Sequence, residues 1–223
     1  MSAEDRRANL TDRFNRSHAA RLQSATLEGL YRAAYGEGYP AETHPNAFFS
    51  RATLQRLVGA LHVGPGHTVV DLGCGHGGPG LWVAQQLGAN FIGIDLSAVG
   101  VALARDRAAA LSLGERAHFQ EGDLTATGLP EASCDAAMSL DVLVFVPDKA
   151  AALREVARIL RPGGCFGFTT WEQPGYSARL GAPQVADHRL LLTAAGFVVE
   201  TDEEPPDWQG QVSAGEARQR SIT

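Results

Sequence analysis

Short apolar runs that alternate with helical stretches from residue 67 onward predict an α/β protein built on a doubly wound, mostly parallel sheet. Two further features agree with this. A glycine-rich loop, Gly73 to Gly80, follows the first apolar run directly, and acids (Asp71, Asp95, Asp123, Asp141) stand at or just beyond the ends of four runs. In an open α/β sheet, ligands bind outside the carboxyl ends of the strands, so these are the residues expected to carry function.

Residues 3–36 read as helical up to Gly36-Glu37-Gly38-Tyr39-Pro40, where glycine and proline end a helix. A helix over 50–61 follows, with Leu54, Leu57, Val58 and Leu61 on one face and Ser50 as its N-cap. The pattern then predicts a strand over 68–72, a helix over 79–87, a strand over 90–95 and a helix over 97–110. Strands over 117–121 and 136–140 come next, then a helix after Asp148 bearing Leu153, Val156, Ala157 and Leu160. A strand over 164–171, a helix near 185–195 and a sixth strand over 197–200 complete the series. Right-handed crossovers between such units leave chiefly a Rossmann-like sheet buried on both faces. Residues 206–223 show no alternating or continuous apolar run, so no seventh strand is expected there. The expected division is an N-terminal helical cap over 1–49, a core over 50–205 and a polar tail over 206–223.

Composition excludes several classes. At 223 residues the chain can bury about 70% of its unfolded surface, so it needs neither disulfide nor metal staple. Cys74, Cys134 and Cys165 are too scattered for a metal knuckle or a disulfide framework and suit a reducing cytoplasm. No apolar run approaches the roughly 18 residues of a membrane span. The first residues lack the apolar stretch of a signal peptide, so a soluble cytoplasmic protein is expected. Five of the six net negative charges sit at Glu200, Asp202, Glu203, Glu204 and Asp207, a solvated edge. Five arginines before residue 22 face three acids, without interleaved aromatics, so nucleic acid is not an expected partner. Lys149 is the one lysine among 19 basic residues, a bias that fits a GC-rich bacterial genome.

The glycine loop allows close backbone approach to a ligand and opens a helix. Asp95 follows Gly73 by 22 residues at the end of the next strand, where a carboxylate can accept both ribose hydroxyls. Gly73-x-Gly75-x-x-Gly78 with this acid also satisfies a dinucleotide fingerprint, so an NAD(P)-dependent enzyme stands as one reading. That reading leaves Asp123 without a role. The bland alternatives are a strand-end cap for Asp71, a helix cap for Asp95, a turn acid for Asp123 and a surface position for His76.

VVDLGCGHGGPG at 69–80, FIGIDLS at 91–97, EGDLTATGLP at 121–130 and LRPGG at 160–164, in this order and spacing, resemble class I S-adenosylmethionine-dependent methyltransferases. The likeness covers roughly residues 50–200 and is nearest the bacterial small-molecule branch, of the ubiquinone and menaquinone or natural-product type. YGEGYP and HPNAFFSR also look like that branch's cofactor-capping N-terminus. The resemblance implies S-adenosyl-L-methionine as cofactor and methyl transfer to an O, N or C nucleophile of a small molecule. It implies that Asp71, Gly73, Cys74 and Gly75 hold the methionine end, and that Asp95 takes the ribose while Leu96 packs on adenine. Asp123 would take the adenine amino group beside Leu124, with Ser139 and Leu140 under the reactive sulfonium. Family members add a helical insertion and a seventh, antiparallel strand, so a shortened chain that binds cofactor without turnover is a further reading. The segment over 171–185 is short for a substrate lid.

Displacement at a sulfonium needs positioning more than covalent help, and a base only where the nucleophile must lose a proton. Asp141, His44 and Tyr39 are the candidates for such a base, with Tyr35 and Trp171 as pocket-shaping aromatics. No metal ligand set is apparent, and oligomeric state is not encoded in these motifs.

Overall fold

A computed structural model describes residues 2–21, 24–45, 47, 49–172, 185, 187–203 and 218–222. Two helices, α1 (Ala3–Arg21) and α2 (Ala25–Tyr35), precede two short 3-10 turns and α3 (Arg51–Ala60). Ser50 caps α3, its hydroxyl accepting from the amide of Thr53. Strands β1 (Thr68–Leu72), β2 (Asn90–Asp95) and β3 (Ala117–Glu121) alternate with α4 (Gly78–Leu87) and α5 (Ala98–Ala110). They are followed by β4 (Cys134–Leu140), α6 (Lys149–Ile159), β5 (Leu160–Glu172), α7 (His188–Ala194), β6 (Asp202–Glu203) and β7 (Arg218–Ile222). Asp148 caps α6 through the amide of Ala151. Among the described residues no helix is long and apolar enough to cross a membrane.

The sheet runs β3-β2-β1-β4-β5-β7-β6, parallel from β3 through β5. Alternate residues of β1 face opposite layers. Val69 joins Leu54, Leu81, Val101 and Ala104 of α3, α4 and α5, whereas Val70 and Leu72 join Leu153, Val156 and Leu192 of α6 and α7. Burial on both faces is why these strands read as unbroken apolar runs. The chain leaves β1 toward β2 and β3, then returns across it to β4. The carboxyl ends of β1 and β4 therefore flank the point where the winding direction reverses.

Two expectations are corrected. Arg218–Ile222 is a seventh strand, antiparallel to β5 with Phe168 opposite Ile222 and Glu172 opposite Arg218. It is slotted between β5 and β6 by backbone pairing, which needs no apolar alternation, so 218–222 is part of the sheet. The sixth strand lies at Asp202–Glu203, antiparallel to β7, and not over 197–200. Phe197 and Val199 do alternate with exposed neighbours, but they pack against the layer of α6 and α7 without a ladder partner among the described residues, which imitates a strand in the sequence. Most of the expected short lid over 171–185 lies outside the described residues.

Candidate active site

A cavity of about 520 Å³ opens at the carboxyl ends of β1, β2 and β4, roofed by α1. Asp71, at the end of β1, is buried, lines the cavity and makes no hydrogen bond or ion pair with a described residue. Burial, then the nearby charge of Asp95, pushes its carboxyl up to about 8. Gly80 of α4 makes room for it, since a Cβ there would lie 2.4 Å from Asp71 Oδ2 and from the ring of Phe91.

Asp95 organises the loops around it. Its Oδ2 accepts from Gly75 N at 2.7 Å and its Oδ1 from Ser97 N at 2.8 Å, leaving a second lone pair on each oxygen. Ser97 is the N-cap of α5, as expected, so Asp95 does not serve as that cap. Asp123 lies beyond β3, its Oδ1 accepting from the amide and hydroxyl of Thr125 at 2.9 and 2.7 Å. Its Oδ2 pairs with Arg7 of α1 at 3.3 Å. Asp141, past β4, holds a left-handed backbone at φ 58°. Its Oδ1 accepts from Thr169 Oγ1 at 2.8 Å, which ties the end of β4 to β5.

The loop's own donors are largely spent. Gly73 N and Cys74 N donate to Ile94 O, Gly75 N to Asp95 and Gly77 N to Cys74 O. A pyrophosphate would find few free amides here and three facing carboxylates, so a dinucleotide fits poorly. Three acids on one cavity suit a ligand that brings cationic and hydrogen-bond-donating groups. The methyltransferase-domain family matches residues 69–164.

The core of this chain is a class I S-adenosylmethionine-dependent methyltransferase domain. Methyltransferase GfsG of Streptomyces halstedii is 30% identical over 169 residues, 74% of this chain and 61% of that protein. The 27-O-demethylrifamycin SV methyltransferase of Amycolatopsis mediterranei is 36% identical over 109 residues, 49% of this chain and 40% of that one. The chain thus spans less than two thirds of these relatives. Geranyl diphosphate C-methyltransferase from Streptomyces coelicolor A3(2) shares the fold, with a TM-score of 0.75 over 100% of this chain and 98% of that one at 18% identity. The cyclase SpnF superposes with a TM-score of 0.62 at 30% identity, over 71% of this chain and 62% of its own.

The methyltransferase domain brings most of the expected site residues to one wall. Asp71, Gly73, Cys74, Gly75, Asp95, Leu96, Asp123, Leu124, Leu140 and Asp141 all line the cavity. Ser139 is not among the lining residues, because its hydroxyl donates to Leu72 O at 2.8 Å and braces β4 against β1. Tyr39 follows the first 3-10 turn and is buried against α2, its ring stacked on Tyr31 and covered by Arg32, and His44 is exposed at the end of the second 3-10 turn. Neither lies at the cavity wall, because this segment is held away on α4 and α5 by Arg107, which donates to Thr43 O and Glu42 O. Tyr35 is likewise absent from the wall, and the side chain of Trp171 lies outside the described residues.

His76 is no surface position. It is 3% exposed, and burial, then Arg107, lowers its pKa to about 3, so it is neutral. Sequence reasoning also passed over Arg7, Leu10, Phe14 and His18, all of α1 and all at the wall. Their spacing of three to four residues was the available signal, since it puts them on one helix face. Cys74 is a buried filler whose thiol burial pushes well above its ordinary pKa, so it is no nucleophile.

Proposed function

We propose that the chain methylates an O, N or C nucleophile of a small, largely apolar molecule, using S-adenosylmethionine, in the cytoplasm. The observation that carries this reading is the buried Asp71, unpaired among the described residues, beside Asp95 and Asp123 on one cavity wall. Asp71 would pair with the ammonium group beside Gly73, Cys74 and Gly75, while Asp95 would accept the ribose hydroxyls beside Leu96. Asp123 would accept from the adenine amine beside Leu124, and Leu140 would underlie the sulfur. The bound cofactor supplies an electrophilic methyl group, open to in-line displacement. Leu10, Phe14, Val142, Phe145 and Val146 form an apolar wall on which a substrate can seat and from which water is excluded. Glu4, Asp141 and Asp148 add carboxylates to that cavity, which favours a neutral or cationic substrate over a phosphorylated one. Asp141, on the cavity wall, would accept a proton where the nucleophile must lose one. Residues 1–49 would act as the cap. The three cysteines are free, which fits a reducing compartment.

A second reading, cofactor binding without methyl transfer, draws on SpnF, a cyclase that this chain resembles at 30% identity. Incubating the protein with methyl-labelled S-adenosylmethionine and a metabolite extract of its source separates the two. Label in any small molecule supports transfer. Tight S-adenosylhomocysteine binding with no labelled product favours the second reading, and binding of NAD alone overturns both. Asp95→Ala should weaken S-adenosylhomocysteine by about 1–3 kcal/mol, and unchanged affinity would mean the ribose role is misassigned.

A further inference from the structure

His18 has no part in the roles above, yet the fold builds a slot for it. Its ring reaches from α1 between the glycine loop and the first turn of α5. A Cβ on Gly75 would lie 2.8 Å from its Cε1, and one on Gly100 would lie 3.1 Å from its Cδ2, so side chains at these places would crowd the ring. Phe14 stacks on it from one side, with ring centroids 6.3 Å apart, and His76 stands 6.0 Å away. His18 is 5% exposed and lines the cavity, and its Nδ1 has no hydrogen-bond partner among the described residues. Buried ring nitrogens are normally paired, so a cavity-lining ring with an unpaired nitrogen suits a ligand hydroxyl. Burial lowers its pKa, opposed by the charge of Asp95, and a neutral imidazole can both donate and accept.

The rest of α1 follows the same edge. Asn15 Oδ1 accepts from Ser97 Oγ at 2.7 Å, directly after Asp95 and Leu96, and Arg7 holds Asp123. One helix thus touches Asp123, proposed for adenine, at one end and Ser97, two residues past the acid proposed for the ribose, at the other. We propose that His18 is a positioning residue for the nucleoside, hydrogen-bonding the ribose hydroxyl edge that Asp95 holds and so seating α1 on the bound cofactor. This rests on the cofactor reading given above.

Calorimetric titration of the full chain with S-adenosylhomocysteine, 5′-methylthioadenosine and a 2′,3′-dideoxy analogue of the latter tests it. His18→Phe fills the slot without nitrogens and should weaken the first two ligands alike, by about 5- to 30-fold. The dideoxy ligand should bind wild type and variant equally, and His18→Gln, which keeps a donor and an acceptor, should recover much of the loss. Equal binding of S-adenosylhomocysteine by His18→Phe and wild type overturns the proposal. So does a loss confined to S-adenosylhomocysteine, which would assign His18 to the amino-acid end. Failure of the wild type to bind S-adenosylhomocysteine overturns the cofactor reading itself. Should the variants not fold, imidazole nitrogen NMR of the wild type reads the same contact. The His18 resonances should move with 5′-methylthioadenosine and not with the dideoxy ligand, and no movement with either overturns the proposal.

Discussion

Asp71→Asn should act in opposite directions on stability and on binding. Asp71 ends β1 almost wholly buried, and burial with the charge of Asp95 raises its carboxyl to about 8. An aspartate in an unfolded chain ionises near pH ~3.9, so between about pH 4 and 8 the folded protein holds a proton that the unfolded chain has released. Stability therefore falls as pH rises through that window, by about 1.4 kcal/mol per unit. From about pH 4 to 7 the loss is on the order of 4 kcal/mol. Asparagine has the same shape and no charge, so the ligand-free variant should unfold at higher urea at pH 7 and approach the wild type near pH ~4. In the proposed role the acid pairs with the ammonium group of the cofactor. S-adenosylhomocysteine binding below pH ~8 should then release up to one proton, visible as buffer-dependent heat, and the variant should bind about 1.5–3 kcal/mol more weakly. Urea curves at pH 5, 6 and 7 that coincide for the two proteins would refute the desolvation argument. An unchanged affinity would refute the ammonium contact.

Glu155 presents the opposite titration. Its carboxylate accepts from Arg158 Nε at 2.7 Å and from Thr127 N at 2.8 Å, and Arg158 first, then Thr127, against burial, holds its pKa down to about 2. That stability is present above pH ~4.3 and is lost as pH falls through about 2, so Glu155→Ala should cost about 2 kcal/mol at pH 7 and flatten acid unfolding over that window. Identical acid titrations would count against it. Deleting residues 218–223 removes five ladder positions against β5, and at about 0.5–1.5 kcal/mol per hydrogen bond it should lower the melting temperature sharply or leave the protein insoluble. A truncated chain that melts like the full one would show the β7 pairing to be dispensable.

The parts of the fold that were legible share one physical origin. β1 and β2 occupy the predicted residues because a central parallel strand is apolar on both faces and is bounded by turn residues, and the edge strand β3 does so because buried Ala117 and Phe119 alternate with less buried neighbours. The caps at Ser50, Ser97 and Asp148 were readable because a short hydroxyl or carboxylate directly before a helix has a local reason to be there. β7 was not, since its place comes from hydrogen-bonding groups that every residue carries. Phe197 and Val199 misled for the converse reason: burial alternates where no ladder forms among the described residues.

The cavity divides along the same line. Asp71, Asp95, Asp123 and Asp141 stand at or just past strand ends, so topology alone gathers them once the strand order follows from right-handed crossovers. The opposite wall depends on where α1 docks, and that docking rests on contacts between residues far apart in the chain, such as Asn15 with Ser97 and Arg7 with Asp123. His18 shows the difference most clearly. A histidine in a polar helix reads as solvated, and what buries it is the lack of a side chain at Gly75 and Gly100, residues 57 and 82 positions away. Glycines in such a loop are read as freedom for the backbone. Here they also act as space for a ring supplied by another element, so their meaning is settled only when α1 is in place. The carboxylate wall is therefore set by the sheet, while the facing wall, with Leu10, Phe14 and His18, depends on a single helix. Changes on α1 should consequently alter substrate choice and cofactor release without disturbing the sheet that holds the acids.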